Sequence, residues 1–279
     1  MSIYHHIKNL FLSPLPIRIN ILQYLMRRFN LGTFEQRLMH DGITYPAYAY
    51  GMFAAALQAK SLGLNKISAI EFGVATGNGL IAMEKHAFEI YNSIGVSFEI
   101  YGFDTAKGLP KSIDYRDQVY FWSESDFKMD QRKLENNLTS AKLVIGEIKS
   151  TINTFIKNTL IFPIGFIAFD LDYYSSTLES FEIFRISDDY LLPRVECYMD
   201  DVSSNELCAA SSGTGVLRAI DEFNKKTSEV KKLLKKQGVN HSRNIPSSWN
   251  EKIYVFHSFD HNKYNHPVVG FKRNMKIIK

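Results

Sequence analysis

Four carboxylates stand at the ends of two apolar runs. Asp170 and Asp172 close the stretch IGFIAFDLDYYSST, and Asp200 and Asp201 close RVECYMDDV. Side chains i and i+2 of a strand share a face, so a strand carried this far points Asp170 and Asp172 the same way. Like charges held that close require a cation, a shared proton or ample water. Hard oxygen donors gathered without a neighbouring His/Cys pattern favour Mg²⁺ or another hard divalent ion over zinc. Taken singly, each Asp also fits a helix cap or a turn, common uses of this side chain. Two such pairs at successive strand ends favour a site.

The four can meet only if those strands are neighbours that end on one edge of a sheet, as parallel strands joined by a helical crossover do. The pattern along the chain supplies that arrangement. KISAIEFG, SFEIYGFD, AKLVIG, IGFIAFDLD and RVECYMDD read as strands. NGLIAMEKHAFEIYNSIG, IKSTINTFIKNTL, STLESFEIFRIS and TGVLRAIDEFNKK read as helices between or after them. Near-continuous apolar strands alternating with helices predict a doubly wound, mostly parallel α/β sheet covered on both faces. KIYVFHSFD offers a last strand, antiparallel to the rest. A more polar connection runs from Thr105 to about Thr139, where Trp122 either packs or serves a lid.

Residues 1–62 read as an N-terminal helical extension and residues 63–279 as the domain that carries the sheet. The lead IYHHIKNLFLSPLPIRINILQYLMRRFN predicts two amphipathic helices split by Ser13-Pro14-Leu15-Pro16. They fit a cap on the main domain or a homo-oligomer contact better than a peripheral membrane contact. YPAYAYGMFAAALQAKSLGL predicts a further helix ending near Gly63. No run reaches the roughly 18 to 20 apolar residues of a membrane span. In KKTSEVKKLLKKQG, the lysines read as a solvated face, with Val230, Leu233 and Leu234 turned inward.

At the end of the first strand stands Glu71-Phe72-Gly73-Val74-Ala75-Thr76-Gly77-Asn78-Gly79. Ligands of doubly wound sheets bind at such strand-to-helix turns, where glycines admit a close backbone approach and the helix presents free amides. The spacing G-x-x-x-G-x-G is not the G-x-G-x-x-G of nicotinamide and flavin sites. It resembles instead the first motif of class I S-adenosylmethionine-dependent methyltransferases. Gly102-Phe103-Asp104, at the second strand end, strengthens the likeness. The longer segment GFDTAKGLP is similar to one in the macrocin O-methyltransferase (TylF-like) family, which methylates sugar hydroxyls on natural products.

That resemblance spans about residues 66–223. It implies S-adenosyl-L-methionine as cofactor, with contacts from Glu71, Gly73, Gly77, Gly79, Asp104 and the Glu147 of LVIGE. It also implies a divalent metal that grips the acceptor hydroxyls, held by Asp170, Asp200 and Asp201, with Asp172 as a further ligand or as the catalytic base. Phe169, Leu171 and Tyr173 depart from the family pattern, which touches acceptor identity more than the carboxylates. The chemistry is coherent: the methyl donor carries its own leaving group, so the protein must align a hydroxyl and help remove its proton.

The 33 basic and 29 acidic residues leave a formal charge of +4, too slight and mixed to suggest nucleic acid as the main partner. Only Cys197 and Cys208 occur, and no cleavable signal pattern opens the chain, which reads as a reduced, cytoplasmic protein. His257, Asp260, His261 and His266 read as a polar turn after the last strand, with His257 or His261 able to border the acceptor pocket. Ser211-Ser212-Gly213-Thr214-Gly215 reads as a helix cap. The expectation is a metal-assisted O-methyltransferase acting on a hydroxyl of a sugar or glycosylated small molecule. The rivals are a hydroxylase-like enzyme on the same fold and a non-catalytic binding or scaffold protein.

Overall fold

In a computed structural model the chain is described over residues 15–243 and 245–267. The N-terminal half begins with α1 (Ile17–Phe29), α2 (Phe34–Met39) and α3 (Pro46–Ser61). The alternating part follows as β1 (Lys66–Phe72), α4 (Asn78–Ile94), β2 (Ser97–Asp104), α5 (Gln131–Glu135), β3 (Lys142–Ile145), α6 (Ile148–Asn158), β4 (Ile164–Phe169), α7 (Tyr174–Ser180) and β5 (Leu191–Met199). The chain closes with α8 (Gly215–Lys226), β6 (Lys231–Lys235), α9 (Val239–Ser242) and β7 (Ile253–Ser258). The first predicted N-terminal helix falls mostly on residues 1–14, outside the described residues. Among the described residues no helix is long and apolar enough to cross a membrane.

The seven strands form one sheet in the order β3-β2-β1-β4-β5-β7-β6. The first five pair in parallel, and β7 runs antiparallel between β5 and β6. The chain steps outward from β1 through β2 to β3, then returns to the other side of β1 with β4. Doubly wound sheets open a crevice at such a reversal, beyond the carboxyl ends of the strands. β4 is buried along its whole length and β1 at every residue but the first, as strands covered on both faces must be.

One core layer packs α3 and α4 on the sheet; the other packs α6, α7 and α8 on the opposite face. Helix α3 is apolar all round, with nine buried residues, because it is wedged between α4 and the strands β4 and β5. Gln58 pins it there, donating to the carbonyl of Arg194 (2.6 Å) and accepting from its amide (3.2 Å). Residues 46–61 therefore share the sheet's own core.

Two local readings need correction. The strand carrying Asp170 stops at Phe169, so Asp170 and Asp172 lie in the turn beyond it. The lysine-rich run contributes β6, and strand alternation sends adjacent residues to opposite faces. Leu233 is buried, whereas Leu234 and Val230 are 42% and 40% exposed.

Candidate functional site

A cavity of about 810 Å³ opens at the predicted crevice. Its floor is the turn after β1. Gly73 has φ +84°, and a Cβ there would lie 1.7 Å from the carbonyl oxygen of Asp170. The turns after β1 and β4 thus touch backbone to backbone, and the amide of Asp170 donates to the carbonyl of Phe72 (2.9 Å). Gly79, in the first turn of α4, makes room for a side chain instead: its Cβ would meet Oε1 of Glu71 at 2.0 Å. Gly77 caps α4 and abuts Leu134 behind the cavity wall, whereas Gly73 and Gly79 line the cavity itself.

Glu71 ends β1 with its carboxylate buried. Oε1 accepts from the Tyr48 hydroxyl (2.8 Å) and Oε2 has no protein partner. Burial pushes this carboxyl up to about 8, partly opposed by the Tyr48 hydrogen bond. Tyr48 comes from α3, and its ring also meets that of Tyr198 at 5.3 Å.

Asp104, at the end of β2, has a role the sequence did not signal. Its Oδ2 accepts from the amides of Val74 and Ala75 (both 2.9 Å), and its Oδ1 from the amide of Ala106 (2.6 Å). One carboxylate therefore joins the glycine turn to the turn after β2, while still lining the cavity. Glu147 lines the same side, between Gly146 and Ile148 after β3.

The acidic end lies across the cavity. Asp172 adopts φ +60°, a left-handed conformation that a non-glycine residue rarely holds without support. The support comes from two carboxylates: Oδ2 of Asp201 accepts the Asp172 amide (3.0 Å), and Oδ1 of Asp117 accepts the Ser175 amide (2.7 Å) at the start of α7. Asp117, 1% exposed, also accepts from the hydroxyls of Ser175 (2.9 Å) and Ser112 (2.5 Å). The long connection after β2 is thereby tied to the acidic turn. Its Trp122, Glu124, Ser125 and Phe127 form a cavity wall.

Oxygens of Asp170, Asp172 and Asp201 lie within 4.8 Å of one another. It is this bend after β4, not strand alternation, that brings the first two together. Among the described residues no hydrogen bond reaches the side-chain oxygens of Asp170 or Asp172, and both line the cavity. Burial, then repulsion from the neighbouring aspartates, raises Asp172 to about 8 and raises Asp170 well above the ordinary carboxylate range. Burial followed by Asp200 raises Asp201 to about 7. Crowded carboxyls with these perturbations invite protons or a cation. Asp200 is not in that trio, although it lines the same cavity and, among the neighbouring carboxylates, raises Asp170 most. Its Oδ1 accepts from the Tyr198 hydroxyl (2.5 Å) and from Lys252 Nζ (2.7 Å), so it is already charge-paired.

Tyr48, Tyr198, Lys252 and Asp117 escaped sequence analysis because none sits in a spaced motif. His257 is bound to the Tyr264 hydroxyl (2.7 Å) and His261 to the Asp188 carbonyl (3.2 Å); neither lines the cavity. Thr214 stands at the cap of α8, but its hydroxyl donates to the Ala209 carbonyl (3.1 Å) and not to the helix amides.

No protein-family model matches the sequence, and no curated protein matches it. Solved structures do resemble it. The crystal structure of CalS11, a calicheamicin methyltransferase, superposes with a TM-score of 0.53 at 18% identity, covering 91% of this chain and 90% of that one. The chain has the Rossmann-like methyltransferase fold. An apo structure of CalS11, described as a TDP-rhamnose 3'-O-methyltransferase, gives 0.46 at 17% identity, over 91% of each chain. An O-methyltransferase from Bacillus cereus in complex with SAH gives 0.39 at 12% identity, over 91% of this chain and 96% of that one. At such identities the likeness is one of fold.

Proposed function

We propose that the chain is an S-adenosylmethionine-dependent, divalent-metal-assisted O-methyltransferase acting on a hydroxyl of a sugar or glycosylated small molecule. The observation that carries this is the contact of Gly73 with the Asp170 carbonyl, which puts a methyltransferase-type glycine turn and an open carboxylate trio in one cavity. A methyl donor seated on the turn and a hydroxyl held at the trio would face each other, which is what methyl transfer requires.

In this reading the turn from Gly73 to Gly79 lets the cofactor approach the backbone, and Asp104 faces its ribose while holding the turn in shape. Glu147 borders the adenine. Glu71, with one unpartnered oxygen at the cavity, borders the methionine end. The donor set at the acidic end fits a hard divalent ion: three carboxylates, open oxygens, and no sulfur or imidazole beside them. Asp170, Asp172 and Asp201 would hold it. When bound, such an ion lowers the pKa of a hydroxyl and fixes its position. Asp172, whose oxygens like those of Asp170 have no protein donor, serves as the third ligand or as the base that takes the hydroxyl proton. Asp200 takes a different role from the one the resemblance implies: paired with Lys252 and Tyr198, it holds Tyr198 against Tyr48 beneath the trio.

Two measurements test this. Calorimetric titration with S-adenosylhomocysteine should show binding, which Gly73→Ala abolishes; no binding by the wild-type protein removes the central claim. Methyl transfer from labelled S-adenosylmethionine should stop in EDTA and return with Mg²⁺ or Mn²⁺. Full activity in chelator would remove the metal from the mechanism and leave the cofactor site intact.

A further inference from the structure

We propose that the acceptor taken by this cavity is a hydroxylated molecule that is uncharged or carries an amine, and that it bears neither phosphate nor carboxylate. This rests on the methyltransferase reading above and concerns the charge of its second substrate. Among the described residues nine carboxylates line the cavity against one cation, Lys107. Lys107 belongs to the GFDTAKGLP turn, next to Gly108, and that turn is bonded backbone to backbone with Ser125 and Asp126 of the connection after β2. The carboxylate trio and the facing residues Tyr45, Trp122, Glu124 and Phe127 include no arginine, lysine or histidine, so Lys107 is the single cation against nine carboxyls in the lining.

Two further cations are already paired, and Lys252 thereby offsets one of the nine, Asp200. Lys252 is bound to Asp200 (2.7 Å), and Arg116 is bound to Asp114 (2.7 Å) and the Tyr174 hydroxyl (2.8 Å). Loading the site does not reverse its sign: with Glu71 held neutral by burial and Asp200 offset by Lys252, seven carboxylates still face the three positive charges of a sulfonium and a divalent ion together with that of Lys107. Proteins recognise phosphate with arginine forks, lysines or free helix amides. Three helices begin at this cavity: the glycine turn commits α4 to the cofactor, α6 starts beside Glu147 on the side given to the adenine, and at the start of α7 the Ser175 amide is already taken by Asp117 (2.7 Å). A cleft lined by one sign of charge focuses its potential and depletes ions of the same sign. What the acceptor end does offer is carboxylate oxygens, which accept from hydroxyl or ammonium groups, and the aromatic surfaces of Tyr45 and Trp122. Tyr45 is 41% exposed and seated edge-on against Tyr48 at 5.3 Å, so its ring is held in place. Aromatic faces beside carboxylates suit the C–H surface of a sugar ring or an ammonium group.

The chain has two tryptophans, so Trp249→Phe leaves Trp122 as the sole indole and a reporter inside the cavity. Quenching of its fluorescence by caesium and by iodide is measured, each relative to free N-acetyltryptophanamide. A negative cavity predicts a normalised caesium-to-iodide ratio on the order of five or more, falling toward one at high salt. A ratio near or below one overturns the proposal, whatever the acceptor. In parallel, labelled methyl transfer is assayed on matched acceptors: one sugar as a neutral glycoside, as an amino-sugar glycoside and as a nucleoside diphosphate sugar. Label is expected in the first two classes; label in the nucleotide sugar also overturns the proposal. S-adenosylhomocysteine titration separates the two levels, since absent cofactor binding with caesium-selective quenching defeats the methyltransferase reading and spares the cavity's charge preference.

Discussion

Replacing Gly73 by alanine tests the junction on which the site depends. Two costs add. A left-handed residue with a Cβ loses about 1–2 kcal/mol relative to glycine, and Gly73 sits at φ +84°. The new methyl would also lie 1.7 Å from the Asp170 carbonyl oxygen, far inside contact distance, and its neighbour is backbone that no rotamer change can move. Relieving that overlap means separating the turns after β1 and β4 by more than an ångström. A total of about 3–5 kcal/mol follows for overpacking plus strain, or a fall in Tm of roughly 5–9 °C for a chain of this size. Gly95 supplies the control, because it has φ +81° and nothing within 4 Å of its Cβ position. Gly95→Ala carries the conformational cost alone, about 1–2 kcal/mol. Thermal unfolding of both variants, with S-adenosylhomocysteine titration, reads the difference. Equal losses in the two variants, or cofactor binding retained in Gly73→Ala, would refute the close approach of the two turns.

Other outcomes follow from the same geometry. Mn²⁺ affinity, measured by calorimetry, should fall at least about tenfold in Asp170→Ala, Asp172→Ala and Asp201→Ala, and change less in Asp200→Ala; a larger loss at Asp200 would put that residue among the ligands. Asp104→Ala leaves three amides without their acceptor and should cost about 1–3 kcal/mol of stability as well as cofactor affinity. Lost affinity at unchanged Tm would instead make it a ligand contact only. The carboxyls of Asp172, Asp201 and Asp170 titrate above their unfolded range near 4. The folded chain therefore holds more protons, and the metal-free stability contributed by Asp172 and Asp201, and likewise by Glu71, is lost as pH rises through about 7 to 8. His86, lowered to about 4 by burial, acts with the opposite sign but below pH 6.5, so a comparison between about pH 7 and about pH 8.5 isolates the carboxyls. In EDTA the wild-type Tm should fall across that window more than that of Asp172→Asn, and Mg²⁺ should stabilise more at the higher pH because the ion replaces protons. Matching slopes for the two proteins would contradict the assignment.

The fold was legible in the chain because its signals are local. Apolar runs of strand length, helical spacing between them and glycines at the turns define elements that neighbouring residues decide together, and one strand-helix crossover brings the ends of β4 and β5 to one edge. EFGVATGNG, GFDTAKGLP and the four aspartates were therefore visible as candidates before any contact was known. The sequence could not show which carboxylates share space. Asp170 and Asp172 meet through a bend held by Asp201 and by Asp117, a residue 55 positions before Asp172. Asp200, one residue from Asp201, is paired with Lys252 from beyond β6. Tyr48 reaches Glu71 from a helix of the N-terminal extension, 23 positions earlier in the chain. Residue types and spacing determined the sheet, the turn after β1 and the presence of acid at two strand ends. The charge environment of that acid arises from long-range packing, since it depends on which side chains of distant elements complete each hydrogen bond and which are left facing the cavity.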